Sequence, residues 1–211
     1  MSDRLSQTQY QFGGGRSMFN KEAKLLENQL SSATARVLTF LKQKYGNNFV
    51  YEKSLPKELI AQKIVENYVP HSNKPKVSPD GGIIYYISDG MKYPILISEA
   101  KKQGTSLVGA KGNAIERAYK NFEEFRIFCD DLNYFPYVIF IYGTDFVDGS
   151  YINDRLDAMT RYLPRNEEYI FHEKKLATIY VDPNGFSEDE TYERLLSVAE
   201  KIIHRINDDK R

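Results

Sequence analysis

Apolar residues recur every three or four positions in three stretches of the chain, and this spacing predicts amphipathic helices. The first helix is expected to begin at Asn20, a residue type that caps helices well, and to end at Gly46. The second begins near Gly112, and the third follows the capping-box pattern of residues 187–190. Shorter helices are expected in two further ranges, 54–69 and 151–162.

Residues that favour strands are concentrated in four other segments. Residues 82–87 and 93–101 flank Ser88-Asp89-Gly90, a turn sequence that predicts a hairpin. Residues 135–142 are almost continuously apolar, which is typical of a strand buried on both faces in the middle of a sheet. A further strand is expected at residues 176–181. Together with the helices, these strands predict an α/β fold, in which a mixed central β-sheet is flanked by helices on both faces.

The composition of the 211-residue chain is that of one globular domain. Its hydrophobic fraction of 41% suffices for one core, so a single domain is expected at residues 17–211. Residues 1–16 are polar and include Gly13-Gly14-Gly15, which predicts a flexible N-terminal arm. A single cysteine excludes an internal disulfide framework. Since the chain shows neither a signal-peptide pattern nor an apolar run of membrane-spanning length, a cytoplasmic protein without a membrane partner is expected.

The charges balance over the whole chain, with 29 basic and 29 acidic residues, and this argues weakly against a DNA-binding protein. The balance is not uniform, however. Residues 101–120 contain only one acidic residue but five basic residues, which are Lys101, Lys102, Lys111, Arg117 and Lys120. A sequence-specific DNA-binding protein needs a basic cleft rather than a basic surface overall, so DNA stays a candidate ligand.

Two acidic residues and a lysine are candidates for a metal-dependent catalytic site. The predicted hairpin would bring Asp80 beside Glu99, and Lys101 would lie on the same face of the strand as Glu99. Adjacent carboxylates repel each other unless a cation lies between them, and oxygen ligands suit Mg²⁺. Such an ion can activate water for phosphodiester hydrolysis, and the Lys101 ammonium could stabilise the developing charge. The alternative is an ordinary set of solvated salt bridges, because such short motifs are common by chance.

The helix that begins near Gly112 has two chemically different sides. One side carries apolar residues, which are Ile115, Ala118, Phe122, Phe125 and Cys129. The opposite side carries polar residues, which are Asn113, Glu116, Arg117 and Lys120. The polar side could read DNA. The alternative is an ordinary amphipathic helix that has a solvated face and is capped by Asn113.

Four motifs of the chain occur in the same order in a known enzyme family. They are Pro79-Asp80-Gly81-Gly82-Ile83, Glu99-Ala100-Lys101 with Gln103-Gly104, Gly112-Asn113-Ala114-Ile115-Glu116-Arg117 with Lys120-Asn121, and Phe135-Pro136-Tyr137-Val138. On these motifs the chain resembles the EcoRI-type restriction endonucleases of the PD-(D/E)xK nuclease superfamily, over residues 20–160. The run from Gly112 to Arg117 is very specific. The resemblance implies the restriction-endonuclease-like fold.

The resemblance also implies a Mg²⁺-dependent type II restriction endonuclease, in which Asp80 and Glu99 match the metal ligands and Lys101 matches the catalytic lysine. Such an enzyme is a homodimer that cuts a palindromic site in double-stranded DNA before an AATT core, leaving four-base 5′ overhangs and 5′-phosphate ends. A bacterial host and a cognate DNA methyltransferase that acts on the same site are implied as well. Two alternatives stay open: a nuclease of the same fold used in DNA repair or recombination, and a DNA-binding module without catalysis.

Several positions match DNA-binding residues of the family. Asn113, Ala114 and Arg117 match residues that contact the central bases from the major groove, and asparagine pairs well with adenine. Gln103 matches a polar residue next to those bases. Glu116 matches a residue that holds the recognition elements of the two subunits together.

The outer part of the DNA site is expected to be read differently from that of the enzyme that names the family. Arg155 aligns with a family arginine near the outer base pair, but Ala158 stands where that enzyme has a second arginine. Lys111 replaces a small residue, and a relative that cuts CAATTG has arginine there. Because lysine can donate to guanine, we hypothesise that Lys111 helps to read the outer pair. Lys120 matches a phosphate contact, although it could, like Gln103, be an ordinary solvated side chain.

Overall fold

The computed structural model describes residues 15–65, 75–103, 113–143, 178–182 and 184–209, which form both helices and strands. The helices are α1 (Gly15–Tyr45), α2 (Lys57–Ile64), α3 (Asn113–Phe128) and α4 (Glu188–Asp208). The strands are β1 (Phe49–Glu52), β2 (Leu55–Pro56), β3 (Lys76–Val77), β4 (Gly82–Ser88), β5 (Met91–Gln103), β6 (Tyr137–Gly143) and β7 (Thr178–Asp182).

A five-stranded sheet in the order β1-β4-β5-β6-β7 forms the centre of the fold, and β2 and β3 form a separate pair. Strand β4 pairs with β1 and with β5, antiparallel in both cases. Strand β6 pairs with β5 and with β7, parallel in both cases. The residues of β6 from Tyr137 to Tyr142 are all buried. These observations confirm the mixed sheet and the strand predicted to be buried on both faces.

The turn between β4 and β5 fixes the register of the central hairpin. Ser88 pairs with Met91, so only two residues connect the strands. These residues, Asp89 and Gly90, have φ angles of 51° and 76°, and two positive φ angles are the signature of a type I′ turn. The hairpin predicted from the turn sequence is confirmed. Its register places Gly82 opposite Ser98, at the end of the hairpin away from the turn.

The helices cover the sheet in two layers, one on each face. Residues of β6 alternate between the two cores, as period-two strand geometry requires. The α1/α4 layer buries Leu30, Ala33, Val37, Leu41, Leu195, Ala199, Ile202 and Ile206. The α2/α3 layer buries Ile60, Phe122, Phe125 and Cys129. Within the described residues, the predicted apolar stripes are confirmed, and none of the helices there is long and apolar enough to cross a bilayer.

Helix α1 begins earlier than predicted. It starts at Gly15 rather than at Asn20, so the expected cap at Asn20 is wrong. Neither proline nor glycine occurs between these two positions, and nothing in the segment therefore stops the helix from extending upstream. The helix thus includes the last two residues of the predicted arm, whose other residues lie outside the described part of the chain.

Helix α2 is shorter than the helix predicted at residues 54–69. Leu55 and Pro56 form β2 and pair with β3, because Leu55 is buried in the core of the α2/α3 layer and the strand pairing satisfies its backbone. At the end of the chain, the predicted capping box is confirmed, since Ser187 and Glu190 each bond to the other's backbone N–H. The helix predicted at 151–162 lies outside the described residues.

Candidate active site

A tight turn leads into β4 and positions Asp80. The Gly82 N–H donates to the Pro79 carbonyl at 3.0 Å, so residues 79–82 form a β-turn. The Gly81 N–H donates to the Ser98 carbonyl at 2.9 Å, which ties the turn to β5. A Cβ atom on Gly81 would lie 2.1 Å from Ser98 Oγ, so this approach requires glycine. The turn therefore holds Asp80 beside the middle of β5.

Asp80, Glu99 and Lys101 meet in one cluster. The Asp80 N–H donates to Glu99 Oε2 at 3.3 Å, and Asp80 Oδ2 accepts from the Ala100 N–H at 3.1 Å. The Lys101 ammonium donates to Asp80 Oδ2 at 2.9 Å, to Glu99 Oε1, and to the Ala100 carbonyl at 3.2 Å. One positive charge therefore lies between the two carboxylates. The structure brings together the three residues that the sequence motif contains.

The cluster is largely withdrawn from solvent. Glu99 is fully buried, whereas the side chains of Lys101 and Asp80 are 17% and 20% exposed. Burial raises the pKa of Glu99 above its ordinary value, the Lys101 charge opposes this shift, and the Asp80 charge adds to it. Burial by itself would lower the pKa of Lys101, but the charges of Glu99 and Asp80 raise this pKa above its ordinary value. Lys101 therefore stays positively charged at neutral pH.

Asn121 contacts the cluster from helix α3. Its side-chain Nδ2 donates to Glu99 Oε1 at 2.7 Å. Asn121 lies within one of the matched motifs, but no chemical role for it follows from the sequence. The sequence feature that could have indicated this contact is the position of Asn121 beside Phe122, at the edge of the apolar stripe of α3. This edge of the helix faces the sheet.

Helix α1 supports the site from the other face of the sheet. The Thr34 hydroxyl donates to the Leu30 carbonyl at 2.9 Å and lies 3.2 Å from Ser98 Oγ. Because the single proton of Thr34 is used in the first bond, Ser98 is the donor in the second. The Ser31 hydroxyl donates to the Asp80 carbonyl at 3.3 Å. None of these supporting residues carries a signal in the sequence.

The family model described as "Restriction endonuclease EcoRI" matches residues 12–183 of the chain. The chain belongs to the EcoRI family of restriction endonucleases. It is 28% identical to the type II restriction enzyme RsrI of Cereibacter sphaeroides, in an alignment that covers 95% of this chain and 92% of RsrI. It is 30% identical to the type II restriction enzyme EcoRI of Escherichia coli, in an alignment that covers 52% of this chain and 56% of that enzyme.

A solved structure of the MunI restriction endonuclease in complex with cognate DNA also aligns with the chain. The alignment covers 76% of this chain and 96% of the MunI chain, with 19% identity and a TM-score of 0.35. The family match confirms the resemblance found in the sequence and makes the protein a type II restriction endonuclease, a site-specific deoxyribonuclease. It favours this class over a repair nuclease or a DNA-binding module without catalysis.

The carboxylate oxygens of this EcoRI-family site suit a hard divalent cation. Among the described residues, no donor contacts Asp80 Oδ1, and Glu99 Oε2 accepts only the long bond from the Asp80 N–H. Both oxygens thus have lone pairs to offer an ion. No third histidine, cysteine, aspartate or glutamate in the described ranges joins them in a ligand cluster. Such a two-carboxylate site leaves coordination positions to water or phosphate oxygens, as Mg²⁺ sites commonly do.

Most of the predicted DNA-binding side chains lie outside the described part of this EcoRI-family chain. Lys111 and Arg155 lie outside it altogether. Only the backbone is described for Gln103, Asn113, Ala114, Glu116 and Arg117, the first at the end of β5 and the others in the first turns of α3. Lys120 is exposed on α3, whereas Asn121 next to it contacts the cluster of Asp80, Glu99 and Lys101. The DNA contacts of these residues stay predictions.

Proposed function

We propose that the protein is a Mg²⁺-dependent, homodimeric endonuclease that cuts both strands of a short palindromic DNA site before an AATT core. The products would carry four-base 5′ overhangs with 5′-phosphate ends. The observation that supports this proposal is the meeting of Asp80, Glu99 and Lys101 within an EcoRI-family chain. A fully buried and a partly buried carboxylate beside a lysine ammonium suit phosphodiester hydrolysis better than structural support, because burial of charge is costly.

Each member of the cluster has a separate chemical task in the proposed reaction. Asp80 and Glu99 would hold the ion, which when bound stabilises charge on the phosphate and lowers the pKa of a water molecule. Lys101 keeps its charge because its neighbours raise its pKa, so its ammonium can donate to a phosphate oxygen. In the hydrolysis, the water gives up a proton as its oxygen bonds to phosphorus, and the bond to the 3′ oxygen breaks. The 3′ oxygen takes up a proton, and the phosphate stays on the 5′ end of the other fragment.

Helix α3 is the proposed reading element. Asn113 and Arg117 would donate to base edges in the major groove, and Ala114 would contact a thymine methyl group. Gln103, at the end of β5, would lie next to the same bases. Glu116 would link the reading elements of the two subunits. The support for this assignment is the matched motif together with the position of α3 beside the catalytic cluster.

Three basic residues would bind outside the AATT core. The exposed Lys120 would contact a phosphate, while Arg155 and Lys111 would contribute to the outer base pair. Because a palindrome has two-fold symmetry, two identical subunits would each cut one strand. A cognate DNA methyltransferase that modifies the same site would protect the host DNA, and both enzymes would act in the bacterial cytoplasm, where that DNA lies.

Digestion of a plasmid library that contains every NAATTN site, with Mg²⁺ present and run-off sequencing of the products, tests this proposal. We expect discrete fragments that end at AATT with four-base 5′ overhangs, and no cutting of a matched library without AATT. Discrete cuts elsewhere would overturn the AATT core. A smear would indicate a nuclease without a defined site, and binding without cutting would indicate a DNA-binding module. An unchanged preference at the outer pair in Lys111→Ala would remove the role of Lys111.

A further inference from the structure

Glu99 accepts hydrogen bonds from three described residues, and one of them lies far from the catalytic motifs in the sequence. Asp80 and Lys101 are members of the cluster itself. Asn121 lies 22 residues further along the chain than Glu99, in helix α3. Its bond to Glu99 Oε1, at 2.7 Å, therefore connects the catalytic hairpin to this helix.

The amide of Asn121 differs from the other strong donor to Glu99, the ammonium of Lys101. An ammonium is attracted to a phosphate oxygen as strongly as to a carboxylate. An uncharged amide is attracted to a phosphate oxygen less strongly, so phosphate competes less for the Asn121 bond to Glu99. A fully buried carboxylate needs such donors, because an unpaired acceptor in the interior costs free energy. Asn121 thus provides a contact that can persist while Lys101 engages the DNA.

Helix α3 is packed against neighbouring elements at the residues next to Asn121. The next residue, Phe122, is buried and packs edge-on against Phe135 and Tyr137, with ring centroids 5.4 Å and 6.1 Å away. On the same helix, the partly buried Glu124 accepts a hydrogen bond of 2.6 Å from Lys57 of α2. The position of the Asn121 amide is therefore set by the position of the whole helix.

The same helix carries the predicted reading residues. Positions 113, 117 and 121 follow one another at intervals of four residues, so they share one side of α3. A displacement of the helix start that accompanies base contacts would thus be transmitted to position 121 along the same helix.

From these contacts we propose that Asn121 is a positioning residue, which holds the Glu99 carboxylate in place and makes its orientation depend on the position of helix α3. The inference rests on the proposed function of the site. Correct base contacts at the start of α3 would set the position of the helix, and the Asn121 hydrogen bond would in turn set the orientation of the Glu99 carboxylate. A DNA site that shifts α3 would then be cut more slowly than expected from the affinity of the enzyme for that site.

The variant Asn121→Ala removes the hydrogen bond, and Asn133→Ala is its matched control. Asn133 Nδ2 also donates to a carboxylate at 2.7 Å, that of Asp209, but on the exposed surface. We expect Asn121→Ala to slow single-turnover cleavage of the cognate site by about 10- to 100-fold, as is common when a partner of a metal ligand is lost. Its DNA affinity with Ca²⁺ should match that of the wild type, and its melting temperature should fall only slightly, because Glu99 keeps the bonds from Asp80 and Lys101. Asn133→Ala should match the wild type in all three measurements.

Discrimination between DNA sites tests the dependence on helix α3. Cleavage rates are measured for the cognate site and for a site with one substituted base pair. If the Asn121 bond transmits the position of α3, Asn121→Ala should lose more rate on the cognate site than on the substituted site, so that the ratio of the two rates falls. Asn121→Gln, which keeps an amide donor on a longer side chain, should recover part of both the rate and the ratio.

Three results would overturn the inference. A cognate rate for Asn121→Ala equal to that of the wild type would remove the role of Asn121. A parallel loss of rate, DNA affinity and melting temperature would show general support of the helix instead. Equal slowing on both DNA sites would remove the coupling to α3. If the wild type itself fails to cut, the proposed function fails first, and the inference falls with it.

Discussion

The two helical layers support the active site in different ways, and two adjacent residues of β5 show the difference. Ser98 faces the α1/α4 layer, where its hydroxyl contacts Thr34 of α1. Glu99 faces the α2/α3 layer, where its carboxylate accepts from Asn121 of α3. The alternation of side chains along a strand thus sends one contact to each layer. Helix α1 contacts Ser98 and the turn before β4, whereas helix α3 contacts a group proposed to take part in the chemistry.

The two layers are therefore expected to contribute differently to stability and to activity. Helices α1 and α4 are long, share a large core, and are joined at the surface by ion pairs such as Lys44 with Glu200. Substitutions there are expected to change the free energy of unfolding more than the cleavage rate. Substitutions at the contacts of Glu99 are expected to do the reverse. The predictions below test this division.

The largest effect is expected from the cluster itself. Asp80→Ala or Glu99→Ala should abolish cleavage, because each removes a proposed oxygen ligand of the metal, while DNA binding with Ca²⁺ stays measurable. Lys101→Ala should lower the cleavage rate by about 100- to 1,000-fold, the scale of a lost transition-state donor. Plasmid cleavage with Mg²⁺ measures both effects. Lys92→Ala, at the opposite end of β5, is the control and should cut normally, and normal cutting by Asp80→Ala would refute the site.

The next largest effect is expected from Gly81→Ala. The added Cβ would lie 2.1 Å from Ser98 Oγ and 2.9 Å from Thr34 Oγ1, so the turn must move away from β5. We expect the free energy of unfolding in urea to fall by about 1–3 kcal/mol, as for overpacked cores. Cleavage should slow as well, because Asp80 moves with the turn. Adding Ser98→Ala removes the nearest obstacle and should restore part of the stability. Wild-type stability in the single variant would contradict the close packing at Gly81.

A smaller effect, confined to stability, is expected from Thr34→Val. The substitution removes the acceptor of the buried Ser98 hydroxyl, which should cost about 1 kcal/mol of unfolding free energy. Thr39→Val is the matched control on the same helix, since the Thr39 hydroxyl donates to the Ala35 carbonyl at 2.9 Å but is exposed. Urea unfolding of both variants measures the difference. Slower cleavage by Thr34→Val at unchanged DNA affinity would contradict the division between the layers.

The smallest effect is expected from Glu190→Gln in the capping box of α4. Hydrogen bonds from Ser187 lower the pKa of Glu190 below its ordinary value of 4.5. The resulting stability is therefore present above about pH 4.5 and is lost as the pH falls through the lower folded pKa. Glutamine keeps an acceptor oxygen but does not titrate, so the variant should lose stability less steeply in acid. Urea unfolding between pH 3 and pH 7 measures the slope. Identical slopes would contradict the role of the capping box, and cleavage at neutral pH should not change.

The parts of the site that could be predicted from the sequence depend on short-range geometry. Asp89 and Gly90 specify a two-residue turn, and that turn fixes the register of β4 against β5. Once the register is fixed, Asp80 must lie near Glu99, and strand alternation places Lys101 on the same face as Glu99. The fold class could be predicted for a similar reason, because each helix and strand has its own hydrophobic period.

The parts that could not be predicted depend on contacts between elements distant in the sequence. Asn121 and Thr34 are ordinary polar residues at the edges of helical stripes, and only the packing of α3 and α1 on the sheet shows what they contact. Leu55 and Pro56 lie within the helix predicted at residues 54–69, and only their pairing with β3 makes them a strand. Hydrophobic periodicity indicates which side of an element is buried, but not which partner that side meets.

The ammonium of Lys101 also affects the stability of the protein in the absence of the proposed metal ion. Because it bonds to Asp80 and Glu99 at once, the chain supplies its own counterion to the pair. Repulsion between the two acids is therefore already relieved during folding and storage. Chelation of divalent ions with EDTA should accordingly stop cutting while leaving the protein folded, and returning Mg²⁺ should restore activity without a refolding delay.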